Sequence, residues 1–257
     1  MKMAREKLGA VEVRLWRAGS GAPLLYLHGF EQHPGAASFL SALSRNHEVI
    51  APEHPGFGES ANFEGNYDVV DVALHYRRMI ESLNKGPMDV IGHCLGGMFA
   101  AEMAALSPHV VRHLVLVDSY GLWLDEKPLP DPFALAPKDL ESAKWHDPKK
   151  APMPEPSTFE AHGDVDALAI FRAQNLGAAT KFMWPIPDRG LNRRLPYVEA
   201  PTLIIHGEAD GLVPFAYAEA FARLIPNSRI APIRNAGHLP MIEAEDQFIS
   251  AVNEFLI

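Results

Sequence analysis

Met88-Asp89-Val90-Ile91-Gly92-His93-Cys94-Leu95-Gly96-Gly97-Met98-Phe99-Ala100-Ala101-Glu102-Met103-Ala104-Ala105-Leu106 holds the only cysteine of the chain. Its opening residues are an apolar run that reads as a strand. Its closing residues are helix formers. Between them lies a sharp turn with a nucleophilic side chain at the apex and glycines two residues to either side. Such a turn needs small flanks, because its backbone passes close to its neighbours. The pattern is G-x-S-x-G with sulfur in place of the hydroxyl oxygen.

Outward from this turn, short continuous apolar runs recur: Leu24–Leu27, Val49–Ala51, Leu114–Val117 and Leu203–Ile205. Runs of this length suit strands buried on both faces, as in a parallel sheet. Val11–Trp16 alternates with Glu12 and Arg14 and reads as a half-exposed strand. Arg229–Ile233 reads as the last strand. Between them lie helical patterns, clearest from Val69, where Val72, Ala73, Tyr76, Met79, Ile80 and Leu83 share one face. Ser38–Leu43, Ala216–Leu224 and Phe248–Leu256 also read as helices. This alternation predicts an α/β fold with an open, mostly parallel sheet, whose ligands bind beyond the carboxyl ends of the strands.

Residues 121–190 break the rhythm. They hold ten of the 22 prolines and, as Trp123, Trp145 and Trp184, three of the four tryptophans. A structureless loop of that length is uncommon in a compact domain. An inserted helical segment is expected, its clearest helix running from Val165 to Leu176 with Asp164 or Gly163 near its start.

Composition narrows the function classes. Net charge is −9, from 23 basic and 32 acidic residues. No Lys/Arg stripe forms, which argues against nucleic acid and anionic membrane surfaces as partners. One cysteine excludes an intrachain disulfide and a cysteine-based zinc site. No apolar run approaches a membrane span, and no signal-peptide pattern follows Met1, so a cytoplasmic location is expected. His28, His33 and His54 lack ligand spacing, and no phosphate-binding loop is present; neither metal nor cofactor is expected.

The reacting form of cysteine is the thiolate, which a helix N-terminus and a nearby imidazole both favour. The turn places Cys94 at a helix start. The imidazole is sought late in the chain, and Asn235-Ala236-Gly237-His238-Leu239-Pro240 supplies His238 in a turn-rich loop. The acid that would steady it is sought after the preceding strand, where Gly207-Glu208-Ala209-Asp210-Gly211 supplies Asp210. Asp118 and Glu208 are the rival acids. Oxyanion donors would be the backbone N–H groups of Leu95, next after the nucleophile, and of Phe30, in the loop His28-Gly29-Phe30. Trp123, Phe133, Trp184 and Leu212 are candidates for an apolar substrate pocket.

Nucleophile, acid and base in that order resemble the α/β-hydrolase superfamily over essentially the whole chain. Leu27-His28-Gly29-Phe30, Ala51-Pro52-Glu53-His54-Pro55-Gly56-Phe57-Gly58-Glu59-Ser60, Leu116-Val117-Asp118 and the three site segments carry the likeness. The resemblance implies a mostly parallel eight-stranded sheet flanked by helices. It implies a core domain of residues 1–120 and 191–257, and a helical cap over 121–190. The family usually has Ser at the position of Cys94. Dienelactone hydrolases are similar in using Cys within such an elbow, whereas the rest of the chain looks more like capped esterases. The expected activity is hydrolysis of carboxylic esters, lactones or thioesters through Cys94, His238 and Asp210, on a small-molecule substrate, by a monomer or homodimer. Two alternatives stand beside it: hydrolysis of carbon–carbon bonds in ring-fission products, and ligand binding with weak turnover. Carbon–carbon hydrolases often carry a His-Gly-x-Gly-Pro-Gly-like loop and a tryptophan after the late histidine. Here the loop continues as Phe30-Glu31-Gln32-His33-Pro34-Gly35, and Leu239 follows His238.

Overall fold

The structure, a computed structural model, describes residues 1–8, 10–152, 154–159 and 164–256. The strands are β1 (Lys2–Leu8), β2 (Val11–Ala18), β3 (Ala22–Leu27), β4 (His47–Pro52), β5 (Met88–His93), β6 (Val111–Val117), β7 (Thr202–Gly207) and β8 (Ser228–Ile233). The helices are α1 (Ser38–Leu43), α2 (Val69–Leu83), α3 (Leu95–Leu106), α4 (Pro137–Lys144), α5 (Val165–Met183), α6 (Leu191–Arg194), α7 (Ala216–Leu224), α8 (Pro240–Glu243) and α9 (Glu245–Phe255). The strands form one eight-stranded sheet in the order β1-β2-β4-β3-β5-β6-β7-β8. β1, β2 and β4 pair antiparallel, and the rest of the sheet from β4 to β8 is parallel. The loops after β3, β5, β6, β7 and β8 therefore meet at one edge of the sheet, and they carry Phe30, Cys94, Asp118, Asp210 and His238.

Strand β1 has no apolar run to announce it. Its residues alternate between exposed and half-buried, as suits an edge strand rich in Lys, Arg and Glu. Helix α2 starts where Asp68 accepts from the N–H groups of Val70 and Asp71 while Asp71 reaches back to the Asp68 N–H. This reciprocal cap satisfies donors that the helix start leaves open. Apart from Glu102, which pairs with Arg194, helix α3 is apolar, and it is buried along nearly its whole length, as a helix wrapped by other elements must be. Alternate residues of each central strand feed opposite faces. Leu25 and Leu27 join Tyr76 of α2, Phe99 of α3 and Phe221 of α7, while Leu24 and Tyr26 join Phe39 of α1 and Phe248 of α9.

Within 121–190, α4 begins with Pro137 at its first turn, where the missing N–H costs nothing. Asp164 caps α5 by accepting from the Ala167 N–H; Gly163, the other candidate for its start, lies outside the described residues. Helix α5 continues a further two turns past Leu176, to Met183. Among the described residues of this stretch there is no strand. No described helix is long and apolar enough to cross a membrane.

Beneath the loop after β3 sits a cluster of buried imidazoles. His28 and His54 stack with ring centroids 3.7 Å apart. His28 Nε2 accepts from the His54 N–H at 2.9 Å, which fixes it as the unprotonated nitrogen. His33 Nδ1 accepts from the Gly35 N–H at 2.9 Å and its Nε2–H donates to Ala51 O at 3.1 Å. Burial, aided by the neighbouring rings, pushes His33 and His54 down to about 3 and His28 well below its usual value. In the unfolded chain these rings titrate near the ordinary histidine value. Below that pH the unfolded state takes up protons that the folded state refuses. Stability is then full above about pH 6.5 and falls as the pH drops toward 3. Thermal melts should show Tm lower by roughly 8 °C at pH 5 than at pH 7.5. An unchanged Tm would mean that these rings are not held neutral.

Candidate active site

Cys94 lies between β5 and α3 with φ 56° and ψ −116°. A positive φ is costly for a residue with a Cβ, and here the surroundings enforce it. The Cys94 N–H donates to Val117 O at 2.9 Å, and its carbonyl accepts from Gly97, Met98 and Tyr120. The flanking glycines are required by close approach. A Cβ on Gly92 would stand 2.4 Å from Gly96 O, and one on Gly96 would stand 2.3 Å from Leu27 O. Gly96 N–H in turn donates to His28 O at 2.9 Å, which ties the elbow to the loop after β3.

His238 Nδ1 is 2.7 Å from Asp210 Oδ2. The other Asp210 oxygen accepts from the N–H groups of Leu212 at 2.8 Å and Val213 at 3.0 Å. With its Nδ1 donating to a carboxylate, His238 presents Nε2, a buried atom without a hydrogen-bond partner among the described residues. Burial would lower the His238 pKa, but the Asp210 carboxylate and the neighbouring Cys94 sulfur outweigh it and hold it well above the usual value. Burial would raise Asp210, and the facing His238 charge brings it below the usual carboxylate range. Cys94 is fully buried and His238 is 2% exposed. The structure thus brings sulfur, imidazole and carboxylate together, in a closed site.

The rival acid Asp118 is there too, fully buried at the end of β6 with φ 44°. Its Oδ1 accepts from the Gly207 N–H at 2.9 Å. One oxygen each of Asp118 and Asp210 and a nitrogen of His206 lie within 4.8 Å of one another. Both Asp210 oxygens already accept N–H groups, so a cation among these residues would compete with His238. Glu208 is exposed, and among the described residues the side-chain hydrogen bond and ion pair of His238 go to Asp210 instead.

Among the described loop and cap bonds, neither the Phe30 N–H nor the Leu95 N–H has a backbone acceptor. Both lie on segments touching Cys94, where a developing oxyanion could use them. The last turn of α4 knits the site loops together. Ala143 O accepts from the Gly211 N–H at 2.9 Å, and Lys144 O accepts from the His238 N–H at 2.7 Å. The buried Lys144 ammonium donates to Glu31 at 3.0 Å and Glu155 at 2.8 Å. Asn175 of α5 donates to Glu31 O at 2.8 Å.

An inner cavity of about 30 Å³ is lined by Gly29, Phe30, Glu31, His93, Glu155 and His238, among others. That is room for about one water molecule. A neighbouring pocket of about 180 Å³ shares Glu31, Gln32 and Glu155 with it and is walled by Phe133, Leu135, Leu140 and Leu176. Phe133, one of the four expected pocket residues, therefore stands beside the site, its ring 6.0 Å from that of Phe30. The other three line none of the described cavities. Trp184 is 55% exposed past the end of α5. Trp123 turns its indole N–H to Asp125. Leu212 is sealed in the core, where it contributes its N–H to Asp210.

Lys144 and Tyr120 carried no motif in the sequence, and His93 stood in the elbow only at a position the motif leaves open. His93 Nε2–H donates to His238 O at 2.8 Å, and burial lowers its pKa to about 3. The Tyr120 hydroxyl is buried without a partner among the described residues. Only tertiary contact reveals these three, although the position next to the elbow could have pointed to His93.

Fold, elbow and site together define an α/β hydrolase. The model of the alpha/beta hydrolase family matches residues 24–251, and the chain belongs to that family. It is 31% identical to the 2-hydroxymuconate semialdehyde hydrolase of Pseudomonas putida, over 99% of this chain and 94% of that one. It is 25% identical to Lipase 1 of Psychrobacter immobilis, over 89% of this chain and 74% of the relative. The meta-cleavage product hydrolase of Pseudomonas fluorescens IP01 shares the fold with a TM-score of 0.79, at 21% identity over 98% of this chain and 97% of that one. The protein is an enzyme, a hydrolase.

Proposed function

We propose that the enzyme hydrolyses the bond beside a carbonyl carbon by covalent catalysis through Cys94, His238 and Asp210. The observation that supports this most is His238 itself: its Nδ1 is held by Asp210 at 2.7 Å and its bare Nε2 is a neighbour of Cys94. Cys94 gives its thiol proton to His238 as the sulfur attacks the carbonyl, and the N–H groups of Phe30 and Leu95 hold the oxyanion. The imidazolium of His238 returns its proton to the leaving atom, and a thioester to Cys94 remains. His238 then draws a proton from water, which releases the acid and the thiol. Asp210 keeps the ring in one tautomer throughout. Residues 121–190 act as a cap, bonded to the acid and base loops through α4. Because Cys94 is fully buried, substrate enters only as the covering side chains move outward.

For the bond that is cleaved, the first reading is the carbon–carbon bond of a ring-fission product. The likeness to the semialdehyde hydrolase, which spans nearly the whole chain, supports it. Ester hydrolysis is the second reading, favoured by two features of this chain. A cysteine nucleophile forms a thioester readily. The inner cavity has no Lys or Arg among its described lining residues, and the Lys144 ammonium beside it is already paired with Glu31 and Glu155, so within that cavity a substrate carboxylate meets no unpaired cation, although Arg172 lines the neighbouring pocket. Parallel assays decide the matter: a dienoate ring-fission compound against neutral p-nitrophenyl esters of rising chain length. A kcat/KM at least tenfold higher for the dienoate is expected under the first reading. The reverse order assigns esters, and turnover of neither class removes the proposal.

A further inference from the structure

Two buried carboxyls face each other behind His238, and the relay described above uses only one of them. Asp210 has three donors: the N–H groups of Leu212 and Val213, and the His238 ring. Asp118 has one, the Gly207 N–H on its Oδ1 at 2.9 Å. Its Oδ2 is buried with no partner among the described residues. The same Oδ1 lies 3.4 Å from His206 Nδ1. His206 Nε2 spends its hydrogen on Val213 O at 2.7 Å. In the neutral ring Nδ1 is therefore a lone pair. Acceptors thus face Asp118 from two sides, His206 Nδ1 on β7 and an Asp210 oxygen on the loop after it. A carboxylate at Asp118 would repel both. A protonated acid can donate to either.

We propose that Asp118 is a positioning residue that keeps one carboxylic proton among itself, His206 and Asp210, so that a single negative charge faces His238 and a second acid stands in reserve. The inference rests on Asp210 being the partner of His238. The uneven supply of donors places the charge on Asp210, where three hydrogen bonds hold it, and the proton on Asp118, where one does. Burial and the Asp210 charge push Asp118 well above the usual carboxylate range, against the pull of His238. Burial lowers His206, in keeping with a neutral ring. The other ionisable groups that interact with Asp210 are Tyr120 and His93; burial, Cys94 and Asp210 hold the Tyr120 phenol well above its usual value and burial lowers His93 to about 3, so both stay neutral.

When Asp210 loses its charge, the repulsion that keeps the proton on Asp118 goes with it. Asp118 can then ionise and support His238 from the end of β6. The experiment compares wild type, Asp118→Asn, Asp210→Asn and the double variant, using an activated ester from pH 5 to 10. Asn at 118 keeps an oxygen to accept from Gly207 and puts an uncharged amide in place of the carboxyl. Asp118→Asn should therefore stay within about threefold of wild type at neutral pH, as expected when a neutral group replaces a neutral group. Asp210→Asn should lose about 10²-fold and recover with rising pH as Asp118 ionises, whereas the double variant should lose about 10⁴-fold at every pH. Infrared spectra give a reading independent of turnover: a protonated-carboxyl C=O band at pH 7.5 that Asp118→Asn removes. A double variant no worse than Asp210→Asn, or no such band, overturns the inference. So does an inactive but folded Asp118→Asn enzyme beside an active Asp210→Asn enzyme, which would make Asp118 the primary acid. Full turnover by Cys94→Ala would instead sink the relay itself, whatever the aspartate variants do.

Discussion

Cys94→Ala lowers kcat on an activated ester by on the order of 10⁵-fold or more, to the level left by binding and oxyanion donors alone. The side chain is fully buried, so a plain loss of packing could also weaken the protein. Removing one small sulfur from a core costs little beside the expected catalytic loss, and the variant should still melt cooperatively. Cys94→Ser separates the two effects. It is close in shape and slightly smaller, and it leaves His238 a hydroxyl to activate. Steady-state kinetics should then show partial activity, with kcat falling far more than KM changes. Retention of full kcat by Cys94→Ala would remove the sulfur from the reaction.

Gly96→Ala carries the largest expected effect on folding. The added Cβ would sit 2.3 Å from Leu27 O and 2.5 Å from His28 O, both backbone atoms that cannot swing aside. Either α3 lifts from the end of β3 or the loop carrying Phe30 shifts. The first opens the core around Leu95 and Phe99. The second breaks the bond from the Gly96 N–H to His28 O. Overpacking of this kind costs about 3 kcal/mol, a sizeable share of a domain's stability. Urea denaturation should show a lower midpoint and, in the protein that remains folded, a reduced kcat. Gly177→Ala on α5 is a suitable control, since a Cβ there meets nothing within 4 Å. Equal midpoints for the two variants would contradict the close approach at the elbow.

What the sequence disclosed follows from where its signals are strong. The central strands are buried on both faces, so they read as continuous apolar runs, and the glycines around Cys94 mark a turn that tolerates nothing larger. Order along the chain then pointed to Asp210 and His238, which the structure holds 2.7 Å apart. Strand β1 escaped notice because an exposed edge has no apolar pattern to keep. The reach of α5 to Met183 was hidden because Gly177 and Thr180 weaken helix propensity beyond Leu176, although Ala179, Phe182 and Met183 there keep a buried face. Trp184 looked like a pocket aromatic by composition, yet composition carries no direction, and the ring points to solvent. The roles of Lys144, His206 and Tyr120 depend on neighbours far away in sequence, which no local window contains.

The central claim is that a covalent thioester forms on Cys94. Brief exposure of the enzyme to an activated ester, an acid quench and peptide mass spectrometry test it most directly. The expected result is an acyl mass on the peptide containing Cys94, absent from Cys94→Ala and accumulating in wild type when its release is slow. Rapid turnover with no acyl group on Cys94 at any quench time, or the acyl group on another residue, would contradict it.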